Sequence, residues 1–462
     1  MPRSLRREPA GPVLVVSGPA GRRSLVRWLD QYRGFSPDAR RFLLFTIVGS
    51  TATGLWWIDF NLYLAARGIS ASGIGLVATV GSVAATIAAF PASALSDRVG
   101  RRAIMAGASV FAVAAVLGLA FVADIWQIVL LAALFGAATQ AVAVVAAPYM
   151  SEHSRSDQRS ELFALQFALN SATNVAAAVI GGVGARLLAE ALAFEPESVE
   201  TYRLILGFMA ILLTLALFVI LRMSDDRPSV LRQRALVGAG EPSAFPRPRT
   251  KAGWSAARLG ITIRDRRAFV RILLPAFLIS VGAGQVIPFL NLFVQGKFGL
   301  DLVALNGVFA ITSLGTMLVI LFQPTIARRF GRIRSVILVQ GASIPFLFVL
   351  GFSPILWTVI TAMAVRNSLM NAGNPIFTAF AMDQVSRAER ATLSAAMSLE
   401  WSLGWVIAGA YYSVVHGLLG FEAGYAVNFA TIIVLYTIAT FLYWHWFRHV
   451  EDEPAELPAL AA

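Results

Sequence analysis

The sequence predicts an all-α membrane protein built from two repeated halves, with about twelve spanning helices. Three observations predict it. Of 462 residues, 57% are hydrophobic and 14% charged, and the mean hydropathy is +0.69. Soluble domains carry roughly 25% charged residues, so lipid must solvate most of this chain. Apolar runs of the length a bilayer requires, about 20 residues, recur from end to end. The third observation is an echo between the halves.

Phe60-Asn61-Leu62-Tyr63 ends an apolar run; a second run follows and closes on Ser96-Asp97-Arg98-Val99-Gly100-Arg101-Arg102. Leu290-Asn291-Leu292-Phe293 and Ala327-Arg328-Arg329-Phe330-Gly331-Arg332 repeat this arrangement. The offset is 230 from Asn61 to Asn291 and 231 from Gly100 to Gly331. The segments Met150 to Arg159 and Met382 to Arg390 add a third match: a span end, a short polar turn, then a charged knot. A duplicated membrane unit explains all three, and many transporters build a two-sided midplane site from such repeats.

The expected spans are 42–66, 72–96, 103–123, 125–150, 161–189, 203–222, 268–295, 303–327, 334–352, 355–382, 391–417 and 423–447. Ser36-Pro37-Asp38 caps the entry to the first, a hydroxyl followed by a proline at the first helical position. The stretch 223–267 is rich in Arg, Pro and Gly and contains no spanning run. It reads as a linker whose part from Trp254 to Arg267 lies on the membrane surface as a basic amphipathic helix. The chain therefore divides into a cytoplasmic lead (1–40), a first membrane unit (41–222), a cytoplasmic linker (223–267), a second membrane unit (268–448) and a cytoplasmic tail (449–462).

The net charge of +12 is almost entirely arginine, with Lys251 and Lys297 the only lysines. Arginines gather at 1–41, 98–102, 155–159, 222–271, 328–334 and 387–390, whereas the 190–200 loop is acidic. Alternation of this kind is the positive-inside pattern and puts both termini in the cytoplasm. It accounts for the basic charge without nucleic acid. The run Pro12 to Val16 is too short for a signal-peptide core. Cysteine is absent, which excludes disulfides and thiolate chemistry.

The stretch Ser93-Ala94-Leu95-Ser96-Asp97-Arg98-Val99-Gly100-Arg101-Arg102 resembles the cytoplasmic signature of the major facilitator superfamily, Gly-x-x-x-Asp-Arg-x-Gly-Arg-Arg, with Ser93 in place of its first glycine. The second copy keeps Arg329, Gly331 and Arg332 but has Arg328 where the aspartate would stand. Span number, linker and both knots extend the resemblance over about 40–448. It implies two pseudo-symmetric six-helix bundles around a central cavity lined by spans 1, 4, 7 and 10. On physical grounds, Asp97 at a helix end can pair with arginines and with a neighbouring helix N-terminus. Asp97, Arg98, Gly100, Arg101, Arg102, Arg329, Gly331 and Arg332 are thus the expected cytoplasmic gate. A solvated turn that only sets topology is the plainer reading.

Ionisable groups within spans cost at least about 2.5–3.5 kcal/mol and point to function. Asp59 lies in the outer part of span 1, Arg366 near the middle of span 10 and Glu400 in span 11. Asp59 or Glu400 is the expected proton carrier. Arg366 is expected to pair with one of them or to grip a substrate anion. A structural ion pair, or Asp59 snorkelling to the interface, is the bland alternative. Asn61 and Asn291 are repeat-related, Asn170 and Asn174 share a face of span 5, and Gln140 and Gln285 lie in spans 4 and 7. Asn367, Asn371 and Asn374 form a stripe on span 10, where Gly373-Asn374-Pro375 is expected to break the helix. Such amides are often interhelical glue. Trp56 and Trp57 precede Asp59, and Trp401 and Trp405 follow Glu400, which suggests an aromatic-walled site for an amphipathic solute or sugar. From this set Asp59, Asn61, Trp57, Gln140, Gln285, Asn291, Arg366, Asn367, Asn371, Glu400 and Trp401 form the expected substrate and coupling site.

No phosphate-cradling loop is present, which argues against direct ATP drive. His445 and His449, at the exit of the last span, lack a third ligand. No metal or cofactor is expected. Drug/proton exchangers of the resembled family carry a Gly-Pro signature in span 5; here Val179 to Gly184 contains glycines and no proline. Sugar-porter uptake signatures are not evident. The resulting expectation is a multi-pass, monomeric, non-enzymatic secondary transporter of the cell membrane. It works by alternating access on a small organic solute, coupled to protons, with export ahead of uptake of a metabolite. A non-transporting receptor or scaffold is the rival class, and the intact gate motif argues against it.

Overall fold

The computed structural model describes residues 34–153, 159–225, 263, 265–320, 332–386 and 389–449. Among these every regular element is helical. In chain order the helices are α1 (Pro37–Ala66), α2 (Ala71–Val99), α3 (Arg101–Phe121), α4 (Ile125–Glu152), α5 (Arg159–Val179), α6 (Ala185–Ala191), α7 (Val199–Leu221), α8 (Arg266–Val286), α9 (Leu290–Phe298), α10 (Leu302–Ile320), α11 (Arg332–Phe352), α12 (Leu356–Asp383) and α13 (Arg390–Phe447). A π-helical turn, Ile180–Gly184, joins α5 to α6, and a 3-10 turn, Ile287–Phe289, joins α8 to α9.

Nine helical stretches among the described residues are long and apolar enough to cross a membrane. In lipid only structures that satisfy their own backbone groups can span, and helices do so locally. The remaining expected spans coincide with α10, whose described apolar stretch is the shorter Leu302–Thr316, and with α12, which carries Arg366 and three asparagines. Large apolar side chains such as Phe121, Leu130 and Ile87 stand exposed on the outer surface, where lipid replaces water.

The sequence cues at the helix ends act as expected. Ser36 caps α1, its hydroxyl accepting from the Ala39 N–H at 3.1 Å. Ser70, Ser198 and Asp265 cap α2, α7 and α8 in the same way. The last two expected spans run together in α13, but Gly420 has φ 73° and ψ −161° and breaks the helix. Tyr411 and Thr431, which a straight helix would place about 30 Å apart, have hydroxyls 3.0 Å apart. The chain therefore doubles back at Gly420. By contrast, α12 continues through Gly373-Asn374-Pro375, contrary to the expected break. A proline removes a single backbone bond, which membrane helices tolerate.

Side-chain bonds identify the two faces of the molecule. On the terminal face Ser36 bonds His153 O, Asp38 accepts from Ser224 N–H, Arg102 reaches Leu221 O, and Asp265 N–H reaches Glu389. On the far face Arg67 reaches the carbonyls of Val122 and Ala123, and Lys297 reaches Gly351 O at 2.9 Å. Within the first half α1 packs on α5 and α7, α2 on α4, and α3 on α4 and α7. Within the second, α8 packs on α13 and α11 on α12 and α13, while α10 packs on α12. Three seams join the halves: α1 against α8–α9, α2 against α13, and α5 with its π turn against α10. The region expected to form a surface helix, Trp254 to Arg267, lies mostly outside the described residues.

The reversal at Gly420 generates a prediction. An alanine there must adopt a backbone conformation open essentially only to glycine, which costs about 1–3 kcal/mol. Gly420→Ala should lower the thermal unfolding temperature of the purified protein in detergent. Gly207→Ala, in a helix with open space around the added methyl, should leave it unchanged or raise it. An unshifted Gly420→Ala would mean that the turn is not held by its glycine.

Candidate functional site

The far-face seams are built from polar groups that the sequence repeat placed in matching positions. Asn61 on α1 donates to Pro288 O at 2.6 Å, and Asn291 on α9 donates to Ile58 O at 2.6 Å. Each asparagine thus bonds the carbonyl three residues before the other, a reciprocal clasp across the pseudo-twofold axis. The α8–α9 pass is unwound at this point, where Pro288 cannot donate a backbone bond. Its loosened carbonyls are taken up by side chains: Gln285 O by Asn428 at 3.5 Å, Pro288 O by Asn61, and Phe289 O by Tyr425 at 3.1 Å.

Asp59 belongs to the same seam. It is 2% exposed, and its Oδ1 accepts from Asn306 Nδ2 of α10 at 3.3 Å. Its Oδ2 and the Asn306 Oδ1 are both buried, with no partner among the described residues. Both lie against Gly181 in the π turn, where a Cβ would meet Asn306 Oδ1 at 3.2 Å and would collide with Asp59 Oδ2. At Gly182 a Cβ would stand 2.7 Å from Asn306 Cβ. The glycines of Val179 to Gly184 therefore let α5 approach α10 and let a carboxyl group sit between the halves. Ser72 on α2 and Ser413 on α13 close the third seam, with hydroxyls 3.1 Å apart and Ser413 also bonding Ser72 O at 2.8 Å.

Beneath these seams lies a cavity of about 490 Å³ between the halves. Trp56, Trp57, Phe60, Phe135, Phe289, Trp401 and Trp405 supply its aromatic wall, and Thr53, Asn61, Ser82, Thr86, Thr139, Gln140 and Ser402 supply polar groups. Trp57 meets Trp405 edge to face at 5.6 Å, and Trp401 stands 5.8 Å from Trp405. The lining comes from α1, α2, α4, α13 and the α8–α9 pass, so α12 does not contribute as the expected lining by span 10 required. A second cavity of about 570 Å³ opens on the far face, lined by Glu197, Tyr202, Asp301 and Tyr425 among others.

The predicted site residues thus divide. Trp57, Asn61, Gln140 and Trp401 line the central cavity. Asp59, Asn61 and Asn291 hold the seam. Gln285 is buried and bonds Val281 O on its own helix. Arg366 does not reach Glu400 or Asp59: α12 packs on α10 and α11, and little of it touches α13. Its guanidinium instead donates to Tyr436 Oη at 2.8 Å and to Asn367 Oδ1 at 3.1 Å. Asn371 is exposed and donates to Asn367 O, and Asn170 and Asn174 are exposed as well. The Glu400 backbone carbonyl accepts from Ser280 of α8 at 3.4 Å, and its Oε2 is buried with no partner among the described residues. In the expected gate, Gly100 links α2 to α3 with φ 93°, Arg98 is exposed, and Arg102 bonds Leu221 O. Arg329, Gly331 and the side chains of Asp97 and Arg332 lie outside the described residues.

Sequence reasoning missed Asn306, Tyr202, Tyr436 and the serine pair. Asn306 has no repeat counterpart, since Leu76 stands one repeat offset before it, and serines in apolar helices carry no signal of their own.

The Major Facilitator Superfamily model matches residues 42–409. The chain belongs to this superfamily. It is a multi-pass solute transporter on that ground. A search of curated proteins finds no match. Solved superfamily structures share the fold: the nucleoside transporter NupG (TM-score 0.67, 12% identity, covering 88% of this chain and 99% of that one); a D-xylose-proton symporter (0.67, 13%, 88% and 96%); and a bacterial homologue of the human lysosomal transporter Spinster, inward-facing and occupied (0.68, 13%, 90% and 98%).

The clasp yields a prediction. Interhelical bonds in membranes are worth about 0.6–1.7 kcal/mol, so Asn61→Leu or Asn291→Leu should open the far-face seam about three- to eighteenfold more often. In this cysteine-free chain, a cysteine placed at Ser413 would report opening through its labelling rate with a membrane-impermeant maleimide. An unchanged rate in both variants would show that the clasp does not hold the seam.

Proposed function

We propose that the protein is a secondary transporter of the cell membrane that moves a small organic solute by alternating access, coupled to protons, with export as its direction. The observation that carries the reading is the arrangement of one closed end over one cavity. The halves meet at the far face through three polar seams, and the solute-sized cavity lies below them. With both termini in the cytoplasm, as the arginine distribution supports, this is the form closed to the outside. Opening the far-face seams would expose the same cavity to the other side, with the sequence knots at Asp97 to Arg102 and Arg329 to Arg332 as the proposed cytoplasmic gate. The units are those read from the sequence, 41–222 and 268–448, acting as a monomer.

Asp59 is the proton site in this reading. A carboxyl group buried between the halves, with one oxygen unpartnered, is stable there in the protonated form. Protonated at Oδ2, it would present a donor on the side where the free Asn306 Oδ1 lies. Tyr202 lies within electrostatic reach of Asp59 and lines the far-face cavity with Glu197 and Asp301, which supports proton exchange with that side. Deprotonation would leave a buried charge and favour the opened seam. Export rests on the aromatic, solute-sized cavity wall. Uptake is the second reading, favoured by the fold shared with a D-xylose-proton symporter.

Asp59→Asn in proteoliposomes should abolish pH-driven accumulation while preserving solute counterflow. Loss of proton drive in Glu400→Gln, with Asp59→Asn unaffected, would move the proton site to Glu400. Paired cysteines replacing Ser72 and Ser413 should cross-link on oxidation and stop transport reversibly. Undiminished transport by the cross-linked protein would sink the alternating-access reading. Flux in proteoliposomes of known orientation decides direction.

A further inference from the structure

We propose that the central cavity selects an uncharged solute with a flat aromatic face and a hydroxyl-bearing edge, the chemistry of an aryl glycoside or a nucleoside. The proposal rests on the transport reading and adds the substrate class.

Charge comes first. No lining residue of the cavity is ionisable. The ionisable groups of the spans face elsewhere: Asp59 toward Asn306, Arg366 toward Tyr436, and Glu400 outside the lining although its neighbours Trp401 and Ser402 belong to it. A charged solute would leave water without a counter-charge in the wall, whereas a neutral one loses only hydrogen bonds that the wall can replace.

Aromatic faces also attract cations, but the geometry here suits a ring. Trp56 is covered by Phe60 at 3.7 Å and by Phe135 at 3.9 Å, so it offers no free face. Trp57 and Trp401 are 54% and 43% exposed. Two partly open indoles with Trp405 between them form a slot for a flat group, and no carboxylate is among the lining residues to hold a cation.

The polar groups define the edge. Gln140 has no hydrogen-bond partner among the described residues and offers both a carbonyl and an amide. The Trp405 indole N–H is buried and has no acceptor among the described residues. Thr86 and Thr139 donate to carbonyls of their own helices, which leaves their oxygens as acceptors. The cavity therefore takes a hydroxyl-bearing edge along α2 and α4, where the threonine oxygens accept and Gln140 both accepts and donates. About 490 Å³ lies in the range of cavities that enclose drug-sized ligands.

The test uses the full-length protein in detergent and charge-matched probes. Phenyl β-glucoside, quercetin glucoside and adenosine are the neutral set, with adenosine 5′-monophosphate and N-methylquinolinium as the anion and cation. Intrinsic tryptophan quenching reads the slot. At least one neutral probe should quench, binding at least tenfold more tightly than both charged probes. Gln140→Ala should weaken it, and Gln140→Glu should shift preference toward the cation. Tighter binding of either charged probe overturns the class. So does failure of all neutral probes at about 1 mM, the upper end of ordinary substrate constants. Flux in proteoliposomes separates the two claims. A neutral probe that binds without being carried sinks the transport reading and leaves the class. Carriage of only a charged solute sinks the class and leaves transport.

Discussion

The fold depends on the requirement that no backbone carbonyl be left bare in lipid, where each unsatisfied group costs several kcal/mol. Most helices meet it within themselves. The α8–α9 pass does not, because it unwinds at Ile287–Phe289. Three side chains from two other helices close the gap: Asn61, Asn428 and Tyr425. One of them comes from the opposite half. The repair of a broken helix and the contact between halves are thus the same bond, and the unwound turn persists only while α1 is in place.

The reciprocal partner gives this arrangement symmetry. Asn291 bonds a carbonyl of α1 as Asn61 bonds one of the α8–α9 pass. Duplicated halves related by a pseudo-twofold make any contact across the axis occur twice, as at an isologous interface. The symmetry stops one turn away. Asp59 precedes Asn61 by two residues, whereas Phe289 precedes Asn291 by the same interval. A carboxyl group on one side and an aromatic ring on the other divide the labour: the first half carries the charge-bearing seam with α10, and the second half carries a wall of the cavity.

The sequence by itself determined the class of protein, the helical passes and the repeat. Composition and apolar runs are bulk properties that lipid reads directly, and Ser36 and Gly100 are local signals that act within a turn or two of themselves. The same holds for the choice of Asp59, Asn61, Asn291, Trp57, Gln140 and Trp401 as residues worth following, since polar and aromatic groups inside spans are costly or conspicuous.

Only the tertiary structure decided which of them meet. Helix rotation and tilt are set by packing against neighbours, and neither appears in a one-dimensional pattern. Arg366 and Glu400 have complementary charges and a short turn between their helices, yet Arg366 bonds Tyr436, on the arm of α13 beyond Gly420, while Glu400 stands on the arm before it. Asn306 and Ser413 look like ordinary polar residues in apolar helices and become seam residues because α10 and α13 cross to the other half. Asp59 belongs to the expected substrate and coupling site and faces the seam, where two glycines of the π turn after α5 leave room for its carboxyl group.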